Sequence, residues 1–294
     1  MTSTSILFVT VLFANPGHTP EVAVSKYQSQ GWSIHQTLNF RICSREIHAD
    51  HADLARQCES CRQQLQQTWF GETASTSWTP RCDVIVHSSL TAYQLALGGG
   101  VGQSVGCTTI SFDGKRVVQR RIDIRRDADH WSLDALPHEL THVVMADRFP
   151  GRQLPHWANE GMGVLAESAA KQEQRRLAFL RAEARGGALD TLSLLRLSDA
   201  TRPASLDAFY HQSASLVGLL VERGTPVQFT EFLELAAEHS DERALAAVYK
   251  IDGAAHLTRL WRNSDRWRNK VDASLIRMTV ESPANQTERA TLYE

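Results

Sequence analysis

The period of the hydrophobic pattern turns helical near residue 132 and mostly stays so, and that change restricts what the chain can fold into. Before it, apolar residues alternate with polar ones or come in short runs bounded by turn residues, as strands do. "WSIHQTLNFRICS" (32–44) alternates over much of its length and reads as a strand, and "RCDVIVHSS" (81–89) as a short buried one. "CTTISF" (107–112) and "RVVQRRIDI" (116–124) read as two strands joined near Asp113-Gly114, a dipeptide that favours hairpin turns. Two helices interrupt them, from about Ala49 to Thr68 and over "LTAYQLAL" (90–97). After residue 132 the spacing is helical and mostly stays so. The expected class is α+β. A mixed, sheet-containing N-terminal part spans 25–131 and a mainly helical part spans 132–270, with a polar tail over 271–294.

The chain has 294 residues, 42% of them hydrophobic and 22% charged, enough to bury a core without staples. A formal net charge of -2 gives no sign of nucleic-acid binding. No apolar run reaches the length of a membrane span. "ILFVTVLFA" (6–14) suits the apolar centre of a signal peptide covering 1–18, with Leu12 and Ala14 at a cleavage site. The preceding "MTSTS" lacks Lys and Arg, and a buried first strand is the competing reading. Export to a periplasm or the exterior is expected, with a cytoplasmic protein as the alternative.

Two features imitate binding sites. The five cysteines, an odd number, describe no disulfide framework. His48, His51, Cys58 and Cys61 suggest zinc, but on one helix His51 and Cys58 stand roughly 10.5 Å apart along the axis. Zinc ligands sit about 2.0–2.3 Å from the ion, so buried thiols and solvated histidines fit better. "GGGVGQSVG" (98–106) lacks the Gly-Lys-Ser/Thr and the following helix of a phosphate loop, and reads as a turn feeding an edge strand.

"LPHELTHVVMADRFPGRQLPHWANEGMGVLAE" (136–167) is different. His138 and His142 lie at i and i+4, about 5–6 Å apart at Cβ on one helix face, so both imidazoles can reach one zinc ion. Asp134 can cap that helix, and Pro137 falls in its first turn. Leu136, Leu140, Val143 and Val144 give it a core face. A catalytic zinc takes three protein ligands and keeps one open position. Glu160 stands on a second helix after a loop with two prolines and a glycine, long enough for the chain to turn back. Glu167, about two turns further on and roughly 10.5 Å along the axis, is a remote substitute.

"LPHELTHVV" (136–144) followed by "LPHWANEGM" (154–162) resembles the gluzincin metallopeptidases, in particular their peptidase-MA-like group with its H-E-x-x-H and W-x-N-E-G pair. The resemblance implies a zincin-like fold, one zinc ion held by His138, His142 and Glu160, and Glu139 as general base. It continues more weakly through "AFYHQSASLVGLLVERG" (208–224) and the segment 229–262, and covers about 80–262. In thermolysin-type enzymes an Asp four residues after the ligand glutamate supports a ligating histidine. Here that position is Val164, so the support must come from elsewhere. The G-x-M-E-N segment of gluzincin aminopeptidases is missing, only "VGCTTIS" standing upstream, which argues against an aminopeptidase and toward an endopeptidase or a narrow processing enzyme. Tyr210 and His211 are the candidate oxyanion donors, with a core aromatic as the competing reading of Tyr210. His130 and His156 fit surface or supporting positions better than ligand positions. The expected partner is a peptide or protein substrate that pairs with an edge strand within 105–124. The alternatives are a silent zinc-binding or interaction domain and a zinc amidohydrolase acting on a non-protein amide.

Overall fold

The structure is a computed structural model that describes residues 22–264 except 47, 73–75 and 199–202. The leader at 1–18 and the tail at 271–294 lie outside the described residues. The N-terminal part carries a six-stranded sheet in the order β1-β2-β3-β4-β6-β5. Its strands are β1 (Ser25–Ser29), β2 (Trp32–Gln36), β3 (Phe40–Ser44), β4 (Cys82–His87), β5 (Gly106–Asp113) and β6 (Arg116–Arg125). The pairs β3–β4 and β4–β6 are parallel and the rest antiparallel, so the sheet is mixed. Helix α1 (Ala52–Phe70) makes the crossover between β3 and β4, and α2 (Leu90–Leu97) follows β4.

In register across the parallel strands, Ile42, Val84 and Ile122 form a row with no solvent exposure. Ala55, Cys58 and Leu65 of α1 belong to the same core. Burial of each of the Ile, Val and Leu side chains contributes about 1.5–3 kcal/mol. Among the described residues eight helices follow: α3 (Ala135–Arg148), α4 (His156–Leu165), α5 (Ala169–Glu183), α6 (Thr191–Arg196), α7 (Leu206–Arg223), α8 (Pro226–Glu238), α9 (Asp241–Tyr249) and α10 (Gly253–Arg262). Helix α7 is buried along most of its length, its apolar second half running from Leu216 to Val221 and its first half also burying His211, Gln212, Ser213 and Ser215. The class is α+β. No helix among the described residues is long and apolar enough to cross a membrane.

Several local expectations need correction. Residues 32–44 form two strands, β2 and β3, not one. The turn between them is held from α1, where Glu59 accepts hydrogen bonds from Thr37 Oγ1 (2.7 Å), the Asn39 amide N–H (2.8 Å) and Asn39 Nδ2 (2.7 Å). Leu38 kept the alternation going in the sequence, but it stands 63% exposed at the tip. Strand β1 is exposed at all five positions and so carries no apolar pattern to read. His51 is not solvated. It is buried edge-on against His35, with ring centroids 5.8 Å apart, while Cys58 and Cys61 are buried as expected. Asp134 precedes α3 but does not cap it. Its carboxylate accepts instead from the Ser168 N–H at 3.3 Å, tying the start of α3 to the start of α5.

Candidate metal centre and cleft

Helix α3 presents two faces. Leu136, Leu140, Val143 and Val144 are fully buried on one, while His138, Glu139 and His142 line a cleft of about 580 Å³ on the other. The loop after α3 reverses the chain, and α4 packs back against α3 carrying Glu160. Nε2 of His138 lies 3.2 Å from Glu160 Oε2, and Nε2 of His142 lies 3.8 Å from Glu160 Oε1. One ligand atom from each of the three residues can be chosen so that all lie within 4.8 Å of one another, the one such group of three or more found among the described residues. Ligand atoms around a tetrahedral ion at about 2.0–2.2 Å stand roughly 3.3–3.6 Å apart, so this donor set can close on a small divalent ion by side-chain movement of about 1 Å. The two imidazole rings are nearly perpendicular (77°), with centroids 4.9 Å apart.

The electrostatics follow from burial and pairing. Burial opposes charge on His138, but hydrogen bonds and charge from Glu160 and Glu167 outweigh it and raise the imidazole to about 10. Burial likewise opposes ionisation of Glu160. The His138 hydrogen bond and the positive charge available to His142, His138 and His156 prevail and lower it to about 2.

The support for His138 comes from Glu167, not from position 164 and not as a ligand. Val164 is core. Helix α4 ends at Leu165, and the turn after it brings the Glu167 carboxylate 2.9 Å from His138 Nδ1. Nε and Nη2 of Arg175 donate to that carboxylate at 2.6 and 2.5 Å. This arrangement directs Nδ1–H of His138 toward Glu167 and leaves Nε2 toward Glu160, the orientation a metal-binding histidine needs. The only sign of it in the sequence was an acidic residue shortly after the second motif.

Glu139 is 9% exposed, and Thr108 of β5 donates to its Oε2 at 2.7 Å and to its backbone carbonyl at 3.1 Å. Gly106, the last residue of the glycine-rich segment, makes room for it: a Cβ there would lie 2.7 Å from Glu139 Cγ and 2.8 Å from Oε1. The segment is a turn feeding an edge strand, as expected, yet its final glycine shapes the site. Gly163 plays the same part for His138, since a Cβ at 163 would lie 2.9–3.0 Å from three ring atoms.

Tyr210 lines the cleft, its ring perpendicular to His138 at 6.2 Å between centroids. Burial pushes its phenol far above the usual range, so the hydroxyl keeps its proton. His211 is not brought to the cleft. It is 2% exposed and stacks on Phe179 at 4.8 Å, because consecutive helical residues point in different directions. His156 lines the cleft and stacks on Phe209 at 4.7 Å, whereas His130 is exposed.

A family model for the peptidase MA superfamily matches residues 107–266, more than half of the chain. The chain belongs to the peptidase MA superfamily. A comparison with curated proteins found no match. Within this peptidase MA chain the matched region runs from β5 past α10 and so contains His138, His142, Glu160, Glu139, Glu167 and Tyr210, while β1–β4 and α1 precede it.

Proposed function

We propose that this peptidase MA chain is a zinc-dependent endopeptidase in which His138, His142 and Glu160 hold the ion and Glu139 is the general base. Two lobes, 25–131 and 132–270, meet at the cleft in this reading. It rests above all on the convergence of two imidazole nitrogens and one carboxylate at spacings that suit a tetrahedral ion, with a separate carboxylate beside them. Bound zinc supplies Lewis acidity, polarising the scissile carbonyl and making a water easier to deprotonate. Glu139 takes the proton of the attacking water and returns it to the departing amine. Thr108 orients that carboxylate through Oε2. The protonated Tyr210 hydroxyl donates to the oxygen that gains charge. A pure binding domain has no use for Glu139 so placed.

Strand β5 is at the edge of the sheet and borders the cleft, so an extended peptide can add to it by backbone pairing. Beyond the polar centre the cleft walls turn apolar, with Ile110 and Phe112 on β5, Met145 and Ala146 on α3, and Phe149 just past the end of α3. Met145 is three residues past His142, roughly 4.5 Å along the axis. That distance suits an aliphatic or aromatic side chain next to the scissile bond.

Glu139→Gln tests the reading. It removes the base and keeps all three ligands, so the variant holds one zinc per chain and loses hydrolysis of fluorescently labelled casein. Turnover equal to that of wild type would remove Glu139 from the mechanism.

A further inference from the structure

Arg175 stands on α5, behind the cleft, yet its guanidinium meets two groups of the site at once. Nε and Nη2 hold the Glu167 carboxylate as a fork, and the guanidinium carbon lies 4.3 Å from the centroid of the Tyr210 ring. The arginine side chain is 12% exposed and Glu167 is 2% exposed, so water competes little for either. Oε1 of Glu167 is shared between Arg175 Nη2 and His138 Nδ1. The exposed Asp207 of α7 approaches Nη1 at 3.9 Å and completes the contacts of the fork.

We propose that Arg175 is a positioning residue for both halves of the site: it fixes the carboxylate that orients His138 and, through the guanidinium seated over it, the ring of Tyr210. This role presupposes the zinc site proposed above. It needs arginine in particular. A planar group can grip a carboxylate with its edge and pack on an aromatic ring with its face, whereas an ammonium offers one compact charge and can do only one of these at a time. Disturbing one partner of a buried ion pair is destabilising in itself, because it leaves the other charge buried and poorly paired, so an effect confined to stability is the opposing expectation.

The deciding measurement is zinc affinity, by competition with a chromogenic chelator, in wild type, R175K, R175Q, E167A and E167A/R175K. Metal-free melting temperatures are recorded for each, and all assays run well below the lowest. Both arginine variants should hold zinc about 10- to 100-fold more weakly than wild type, the usual effect of disturbing a ligand's hydrogen-bonded partner. E167A/R175K should bind no more weakly than E167A alone, because the two residues act through one contact. On labelled casein at saturating zinc, R175K should lower kcat with little change in KM, and Y210F/R175K should be no slower than Y210F. Lowered melting temperatures with unaltered zinc affinity would reduce Arg175 to a structural ion pair, and full additivity with E167A would also overturn the proposal. A wild-type protein that holds no zinc refutes the metal site itself, whatever the arginine variants do. A wild type that holds zinc and leaves casein intact refutes the peptidase reading, and the zinc comparison still decides the role of Arg175.

Discussion

Gly163→Ala separates the packing of the site from the stability of the helix that carries it. At an exposed helical position alanine is preferred to glycine by about 1 kcal/mol. Position 163 of α4 is not free in that way, because the new methyl would fall 2.9 Å from Cε1, 2.9 Å from Nε2 and 3.0 Å from Cδ2 of His138. Carbon contacts are comfortable at about 3.5–4.0 Å, so the ring must retreat by roughly 0.6 Å. It is poorly placed to do so. Nδ1 is held by Glu167 at 2.9 Å, Nε2 lies 3.2 Å from Glu160, and the His142 ring stands beside it. Overpacking of this kind costs about 1–3 kcal/mol, against which the helix gains about 1 kcal/mol. The metal-free variant should therefore lie between unchanged and about 2 kcal/mol less stable. Zinc affinity should fall about 10- to 100-fold, since the displaced atom is the proposed ligand nitrogen and its supporting hydrogen bond is bent with it. Calorimetry of the metal-free protein and chelator competition measure the two quantities separately. A variant that melts higher than wild type and binds zinc equally well would show that the methyl is accommodated, and the reasoning would fail.

Other consequences of the geometry are as direct. Glu160→Ala removes one of three proposed ligands, so zinc should be lost on dialysis against a mild chelator, and one retained zinc per chain would move the ligand role elsewhere. Tyr210→Phe should lower kcat about 10²- to 10³-fold with little change in KM, while His211→Ala, a core change, should act on melting temperature; the reverse pattern would exchange their roles. The metal-free protein should lose stability between about pH 7 and 8, because His138 has an ordinary value of 6.5 and is raised to about 10 in the fold. Its contribution is complete below pH 6.5 and is lost as pH rises toward 10. Above about 8.5 the buried thiols of Cys58, Cys61 and Cys82, also raised, add to the loss. Denaturant midpoints that stay flat from pH 7 to 8 would contradict the pairing of His138 with two carboxylates.

Much of this was legible because the chemistry demands fixed spacing. Two histidines at i and i+4 share a helix face whatever surrounds them, and the glutamate on α4 could be read from the turn between the helices. The class was legible for a similar reason, since β4, β5 and β6 carry strand-like apolar patterns bounded by turn residues. What could not be read depended on contacts across the fold. No local pattern tells that Thr108 on β5 faces Glu139 on α3, that Gly106 vacates the space between them, or that His211 turns into the core beside Phe179 while Tyr210 faces the cleft. The break between β2 and β3 was hidden because the apolar Leu38 sits on an exposed tip, where its hydrophobicity reports nothing about burial.

The displacement of the supporting carboxylate to Glu167 has a physical logic of its own. One turn past Glu160, position 164 points into the core, and position 163 must stay without a side chain to admit the His138 ring. The carboxylate that meets Nδ1 therefore comes from beyond the end of α4, on the turn that leads to Ser168, the cap of α5. A side chain on a turn lacks the restraint that a helix gives to its own residues, and a loosely held carboxylate would orient the imidazole poorly. Two residues of α5 supply the restraint. Gln172 donates to the backbone carbonyls of Leu165 and Glu167, at 3.2 and 2.9 Å, and fixes the turn. Arg175, about one turn further along α5, fixes the carboxylate itself with two hydrogen bonds. The orientation of His138 thus depends on where α5 packs. By that dependence a helix bearing no proposed ligand would govern the metal affinity of the site proposed on α3 and α4.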